Sequence, residues 1–176
     1  MRALGPGSVS SVLKVILDVV YFALWVLAIL TAVGAAATLV FAMVPGAATM
    51  LASDPAAAAG MAAKAPLTAL RLAGATLYTI GVIVITGRLR SVFAALSAGD
   101  PFHPDNVRRL RIIGLILAGL EAGRYALAGA TALFAPTANT FDGPSLTPWF
   151  AVLVIFVLAE VFREGARLRR EAELTI

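Results

Sequence analysis

The stretch RLRSVFAALSAGDPFHPDNVRRLR, residues 88–111, decides the fold of this chain. It carries five of the fourteen lysine and arginine residues, and it separates two long apolar segments. An apolar helix of about twenty residues is long enough to cross the hydrocarbon core of a membrane. Because basic loops between spans stay on the cytoplasmic side, the sequence predicts a cytoplasmic loop here, which we call the arginine-rich loop.

The composition of the whole chain indicates an integral membrane protein. Of the 176 residues, 60% are apolar and 14% are charged, and the mean hydropathy is +0.92. Soluble domains carry more charge and less apolar content. The formal net charge is +4, but the basic residues cluster beside apolar segments, so we expect no direct binding of nucleic acid.

Four apolar segments account for the length of the chain and leave no room for a separate soluble domain. The predicted spans lie at about 12–44, 67–90, 110–134 and 147–168. We therefore predict one membrane domain over residues 1–176, an all-α membrane protein with four transmembrane helices in an up-down bundle. The helix of the second span is expected to continue to Gly99, and residues 45–66 to form an external connection that is helical in part.

The distribution of basic residues predicts the orientation of the spans. Five lie in the arginine-rich loop, four lie in the tail 163–176, and Arg2 and Lys14 precede the first apolar run. The external connections contain Lys64, and Arg71 lies near the rim of the second span. By the positive-inside rule, both termini and the arginine-rich loop are predicted to be cytoplasmic.

Four ionisable residues are predicted to form an intramembrane polar cluster. Glu121 lies roughly 16 Å beyond Leu110, at about 1.5 Å per residue, and hence near the bilayer midplane. Charges at that depth face the bundle interior and pair, and Arg124 follows at a spacing that shares a helical face. Glu160 in the fourth span and Asp18 near the start of the first complete the cluster. Two interpretations stay open: a salt-bridged clamp that fixes helix packing, or a proton or ion relay.

Small residues in the third span predict close packing of helices. Gly119 and Gly123 lie four residues apart, together with Gly114, Ala118 and Ala122. Such residues let neighbouring backbones approach each other. We expect them to pack helices within one chain, and a homo-oligomer stays open.

The third helix is predicted to begin just after His103. Pro104 suits the first helical position and Asp105 suits the first turn, which makes His103 the N-cap residue. His103 is the one histidine of the chain and there is no cysteine. A thiolate or multi-histidine metal site is therefore excluded.

No catalytic or nucleotide-binding signature is present in the sequence. The glycines do not form a phosphate-binding turn between a strand and a helix, and a nucleophile with a nearby base would need His103 in its proline-flanked loop. We predict that the chain is not an enzyme and binds no metal or cofactor.

Two segments resemble the hallmark segments of a known family. They are GDPFHPDNVRRLRIIG, residues 99–114, and VLAEVFREGARLRREAELTI, residues 157–176. As a pair in this order they resemble the domain of unknown function 2975, a family of small bacterial membrane proteins with four spans. The residue before the second proline of the loop is often Ser or Thr in that family, whereas here it is His103.

This resemblance implies a bacterial inner-membrane protein of unassigned activity, whose gene often lies beside one for a small helix-turn-helix regulator. We therefore predict a non-enzymatic regulatory or interaction partner of such a regulator, with a partner face on the cytoplasmic side. The alternative is a small-solute or proton-coupled transporter or sensor that uses the intramembrane polar cluster. The predicted partner face consists of Phe102, Asn106, Arg108, Arg109, Arg111, Arg163, Arg167, Arg169 and Arg170.

Overall fold

The computed structural model describes residues 9–44, 46–98, 102–134 and 143–174, and within these ranges every regular element is a helix. The helices are α1 (Val9–Met43), α2 (Ala47–Leu51), α3 (Pro55–Ser97), α4 (Pro104–Phe134) and α5 (Leu146–Glu173). All except the short α2 are long and apolar enough to cross a membrane. The predicted fold class is confirmed: this is an all-α, multi-pass membrane protein with four spans.

The helices pack into two compact units. Unit 1 contains α1 up to Ala23, Gly81–Ala122 and the chain from Pro144 onwards, and unit 2 contains Leu24–Ile80 and Gly123–Gly143. Unit 1 therefore includes the described residues of the arginine-rich loop, 88–98 and 102–111, with the ends of the helices that flank it. Large apolar side chains such as Phe22 on α1 are exposed on the long helices, where a bilayer supplies lipid contacts.

The long helices are antiparallel to their neighbours within unit 1. In the pairing of α3 with α4, Arg109 bonds to Ser91 and Leu120 packs against Gly81, so residue numbers rise on one helix as they fall on the other. The pairing of α4 with α5 follows the same rule, because Arg111 reaches Glu160 while Gly114 lies against Phe156. Short connections between antiparallel helices are the expected topology of an up-down bundle.

Glycines on α3 allow α4 to approach closely. In unit 1, a Cβ added to Gly81 would lie 2.6 Å from a methyl carbon of Leu120. In unit 2, a Cβ added to Gly74 would lie 2.5 Å from a methyl carbon of Leu127. The two glycines are seven residues apart on α3 and the two leucines are seven residues apart on α4, so the contact repeats after two helical turns. Leucine side chains of α4 therefore fill notches that the α3 glycines leave open.

The expectation that Gly119 and Gly123 pack helices within the chain is wrong for the described residues. A Cβ added at either position would meet no described atom within 4 Å. Gly114 does lie against another helix, since its added Cβ would be 3.1 Å from the Phe156 ring. The two open glycines project away from the described helices, and the close approach is made by glycines on α3 instead.

Helix α3 extends beyond the predicted second span at both ends. It begins at Pro55, inside the stretch expected to be an external connection, and it ends at Ser97, near the predicted stop at Gly99. Its 43 residues make a helix about 65 Å long, roughly twice the thickness of a hydrocarbon core. Pro66 lies inside this helix and removes a single backbone bond, which the alanine-rich sequence around it tolerates through its helix propensity.

Candidate functional site

The beginning of α4 and the end of α5 lie side by side in unit 1. The ring of Phe102 packs against Phe162 with centroids 5.8 Å apart and fills the space beside Gly165. Arg111, further along α4, lies 3.9 Å from Glu160 on α5. The two segments that carry most of the arginines are thus neighbours. We call residues 13–21, 87–98, 102–111 and 156–174 the arginine-rich end.

Asn106 is the most completely buried large residue of the arginine-rich end, with 0% of its surface exposed. It occupies the first turn of α4, where its backbone N–H donates to the carbonyl of His103 at 2.9 Å. The ring nitrogen Nδ1 of His103 accepts a bond from the backbone N–H of Asp105 at 3.2 Å, so His103 is the N-cap residue, as predicted. This cap stabilises the start of α4.

Arg109 joins the start of α4 to the end of α3. Its Nη1 donates to the backbone carbonyl of Ser91 at 3.2 Å and to Oδ1 of Asn106 at 2.9 Å. The Ser91 carbonyl is within reach of a side chain from the next helix because of the close α3–α4 contact. Arg109 is half-buried, and its guanidinium is held by two neutral acceptors rather than by a carboxylate.

A second ion pair joins α1 to α3. The guanidinium of Arg90 is in direct contact with the carboxylate of Asp18, and it also lies over the Tyr21 ring at 4.7 Å from the centroid. A cation above an aromatic face gains further stabilisation. A cavity of about 570 Å³ opens beside this group, between Leu17 and Tyr21 on one side and the last turns of α3 on the other.

Two of the four arginines near the end of α5, Arg163 and Arg167, contact carboxylates of the same helix. Arg163 contacts Glu160, and Arg167 lies 2.6 Å from Glu164 and 3.6 Å from Glu171. These pairs are exposed and sit at spacings of three or four residues on one helix. Exposed pairs of this kind contribute at most about 0.5 kcal/mol each. They leave the arginine side chains accessible at the surface.

A small polar pocket lies between α3 and the first turns of α4. It has a volume of about 180 Å³ and is lined by Arg88, Asp105, Arg108, Arg109 and Ile112. Arg88 and Arg108 are exposed and form no ion pair with any residue in the described ranges. The sequence predicts Arg108 and Arg109 as residues of the partner face. Arg88 lines the same pocket because the end of α3 packs against the start of α4.

Asp18 and Glu160 do not join Glu121 as the predicted polar cluster requires. Within unit 1, Asp18 pairs with Arg90, and Glu160 is exposed and pairs with Arg111 and Arg163, so neither joins Glu121. The reason is position along the helices: Glu160 faces Arg111, which lies about 15 Å from the level of Glu121 on α4.

Glu121 itself is buried, with 6% of its surface exposed, in a helix that can span a membrane. Arg124 belongs to unit 2, where its guanidinium lies 5.1 Å from the centroid of the Tyr125 ring. The ion pair between Glu121 and Arg124 stays a prediction.

The predicted partner face requires one correction. Asn106 is fully buried and bonds to Arg109, so it does not belong to an exposed face. Arg109 is engaged in joining two helices, and Phe102 packs partly against α5. The arginines that remain exposed are Arg108, Arg111, Arg163, Arg167, Arg169 and Arg170.

Metal chemistry has no candidate site in the described part of the chain. No group of three or more histidine, aspartate or glutamate side chains is close enough there to hold an ion. The arrangement offers guanidinium groups, carboxylates and one cap histidine, which suit the binding of anions or acidic surfaces.

A protein-family model described as Protein of unknown function (DUF2975) matches residues 51–176. The match begins at the end of α2 and includes α3, α4 and α5 with the arginine-rich loop. No curated protein and no solved structure is significantly similar to the chain.

Proposed function

Because this chain belongs to the DUF2975 family, we propose that it is a bacterial inner-membrane protein with both termini and the arginine-rich end on the cytoplasmic side. The distribution of basic residues supports this orientation, since the arginine-rich loop and the tail hold nine of the fourteen. A cytoplasmic arginine-rich end is accessible to soluble proteins of the cell.

The function we propose is that of a non-enzymatic partner that holds a small helix-turn-helix regulator at the membrane. The single observation that carries this proposal is the adjacency of α4 and α5 at the arginine-rich end, which gathers exposed arginines from two distant segments. Arg108 and Arg111 come from α4, whereas Arg167 and Arg170 come from α5. Grouped arginines attract an acidic surface and fix its orientation.

A test of this proposal is co-purification of the regulator encoded beside the gene with the full-length membrane protein in detergent. Changing Arg167 and Arg170 together to alanine should weaken retention of the regulator about tenfold, because rim charges act through electrostatic attraction. Retention of the regulator by the wild-type protein should fall as the salt concentration of the wash rises, since exposed charges are screened.

The matched control is the double change Lys64→Ala with Arg71→Ala. It removes the same charge from residues that the sequence assigns to the external side, and it should leave retention unchanged. Equal retention by the two double variants would contradict the proposed face.

A second candidate function is proton-coupled transport or sensing, and the burial of Glu121 in a spanning helix favours it. A carboxyl group at that depth is costly and is often part of a transport pathway. In liposomes with a pH gradient, the wild-type protein should then dissipate the gradient and Glu121→Gln should abolish the flux, whereas Glu164→Gln in the exposed tail should not. Wild-type liposomes that hold the gradient as well as protein-free ones would reject this function.

A further inference from the structure

The pocket between α3 and α4 concentrates positive charge that the protein itself does not neutralise. Three arginines, Arg88, Arg108 and Arg109, line it together with a single acid, Asp105. None of the three forms an ion pair with a described carboxylate, and the described partner of Asp105 is His103 at 3.7 Å. The lining therefore carries a formal charge of +2, three arginines minus one aspartate.

This pocket differs from the other arginine sites of the same end. Arg90, Arg111, Arg163 and Arg167 each contact an aspartate or glutamate. Like charges held close together repel each other, which costs stability unless a counter-charge is present. The residues of the pocket are thus arranged as they would be around a bound anion.

One of the three arginines is held in position before any ligand arrives. The Nη1 atom of Arg109 donates to the carbonyl of Ser91 at 3.2 Å and to Oδ1 of the fully buried Asn106 at 2.9 Å. Its Nη2 and Nε bond to no described acceptor, and both belong to the planar fork that binds phosphate oxygens. A fixed donor costs less ordering entropy on binding than a mobile one.

The geometry points to a binding site for a phosphate group, with Arg109 as the fixed donor and Arg88 and Arg108 as the closing pair. A volume of about 180 Å³ admits a phosphate head group but is below the roughly 300 Å³ of a pocket for a larger ligand. The guanidinium fork matches phosphate oxygens in a bidentate manner. The phosphate can belong to an anionic lipid or to a small soluble phosphate compound.

The experiment uses the full-length protein in a zwitterionic detergent with two probes, phosphatidylglycerol and inorganic phosphate. Bound lipid is counted by native mass spectrometry, and both probes are titrated against the thermal unfolding midpoint. Arg88→Gln and Arg108→Gln should each weaken binding about tenfold, because each removes a charge-assisted bond to the anion. Arg109 is not varied, since it also joins α3 to α4.

Two further variants make the test independent of misfolding. Lys64→Gln removes the same charge from an exposed residue that lies outside the pocket and outside the partner face, and its affinity should stay within about twofold of wild type. Asp105→Asn removes the acid of the pocket and should tighten binding by about threefold. A gain in affinity cannot arise from a damaged protein.

Saturable binding of phosphatidylglycerol that inorganic phosphate does not displace identifies a lipid head group as the ligand, and displacement by inorganic phosphate identifies a soluble source. The site is refuted if neither probe saturates, or if Lys64→Gln weakens binding as much as Arg88→Gln. Failure here leaves the regulator proposal standing, because that proposal is tested on Arg167 and Arg170.

Discussion

Replacing Asn106 by leucine should destabilise the folded protein by about 2–4 kcal/mol. Leucine is similar in size, so the loss comes from chemistry rather than from a cavity. The Oδ1 atom of Asn106 accepts a bond from Arg109 at 2.9 Å inside the protein, and the residue is 0% exposed. Without this acceptor, the half-buried guanidinium loses one of the two groups that hold it. The thermal unfolding midpoint of the detergent-purified protein should fall by about 5–10 °C.

The coupling between Asn106 and Arg109 can be measured with a double-mutant cycle. Asn106→Leu with Arg109→Met should cost at least about 1 kcal/mol less than the sum of the single changes, because the second change removes the guanidinium that the first leaves under-bonded. Leu115→Met, at an exposed position further along α4, serves as the control and should shift stability by no more than about 0.5 kcal/mol. Additive single changes, or a wild-type midpoint for Asn106→Leu, would show that this contact does not stabilise the start of α4.

The four spans could be predicted from the sequence because each requires only a long apolar run. The start of α4 could also be predicted, since the His103, Pro104 and Asp105 sequence is a local signal for a cap. The rotation of α4 about its own axis could not be predicted. A spanning helix has apolar residues on its lipid face as well as on its protein face, so periodicity does not show which side is buried. The sequence therefore predicts that Asn106 lies on an exposed face, whereas the structure shows that it is buried.

The ionic contacts between helices could not be predicted from the sequence. The contacts of Asp18 with Arg90 and of Glu160 with Arg111 join different helices, and they depend on the register of one helix against another. No residue pattern within one helix specifies that register. The same limitation applies to Arg88 in the phosphate pocket. Arg88 lies twenty residues before Arg108, so no local pattern shows that the two side chains line one pocket.

The choice of glycines for close packing illustrates this limitation most clearly and leads to a strong expected effect. The four-residue spacing of Gly119 and Gly123 indicated α4 as the helix with the notch, but the notch at Gly81 is on α3 and receives Leu120. Gly81→Ile should destabilise the protein by about 2–3 kcal/mol, because the added side chain would begin 2.6 Å from a Leu120 methyl carbon and force the helices apart. The measurement is thermal unfolding of the full-length protein in detergent.

Exchanging the sizes of the two side chains should restore much of this loss. Gly81→Ile combined with Leu120→Ala removes the methyl groups that clash, so the double variant should be more stable than Gly81→Ile alone by about 1 kcal/mol or more. Gly119→Ile places the same side chain on the open side of α4, where no described atom lies within 4 Å of the added Cβ, and it should change stability by less than about 0.5 kcal/mol. If Gly119→Ile proved as harmful as Gly81→Ile, the cost would belong to isoleucine in a spanning helix and not to the packing of α3 against α4.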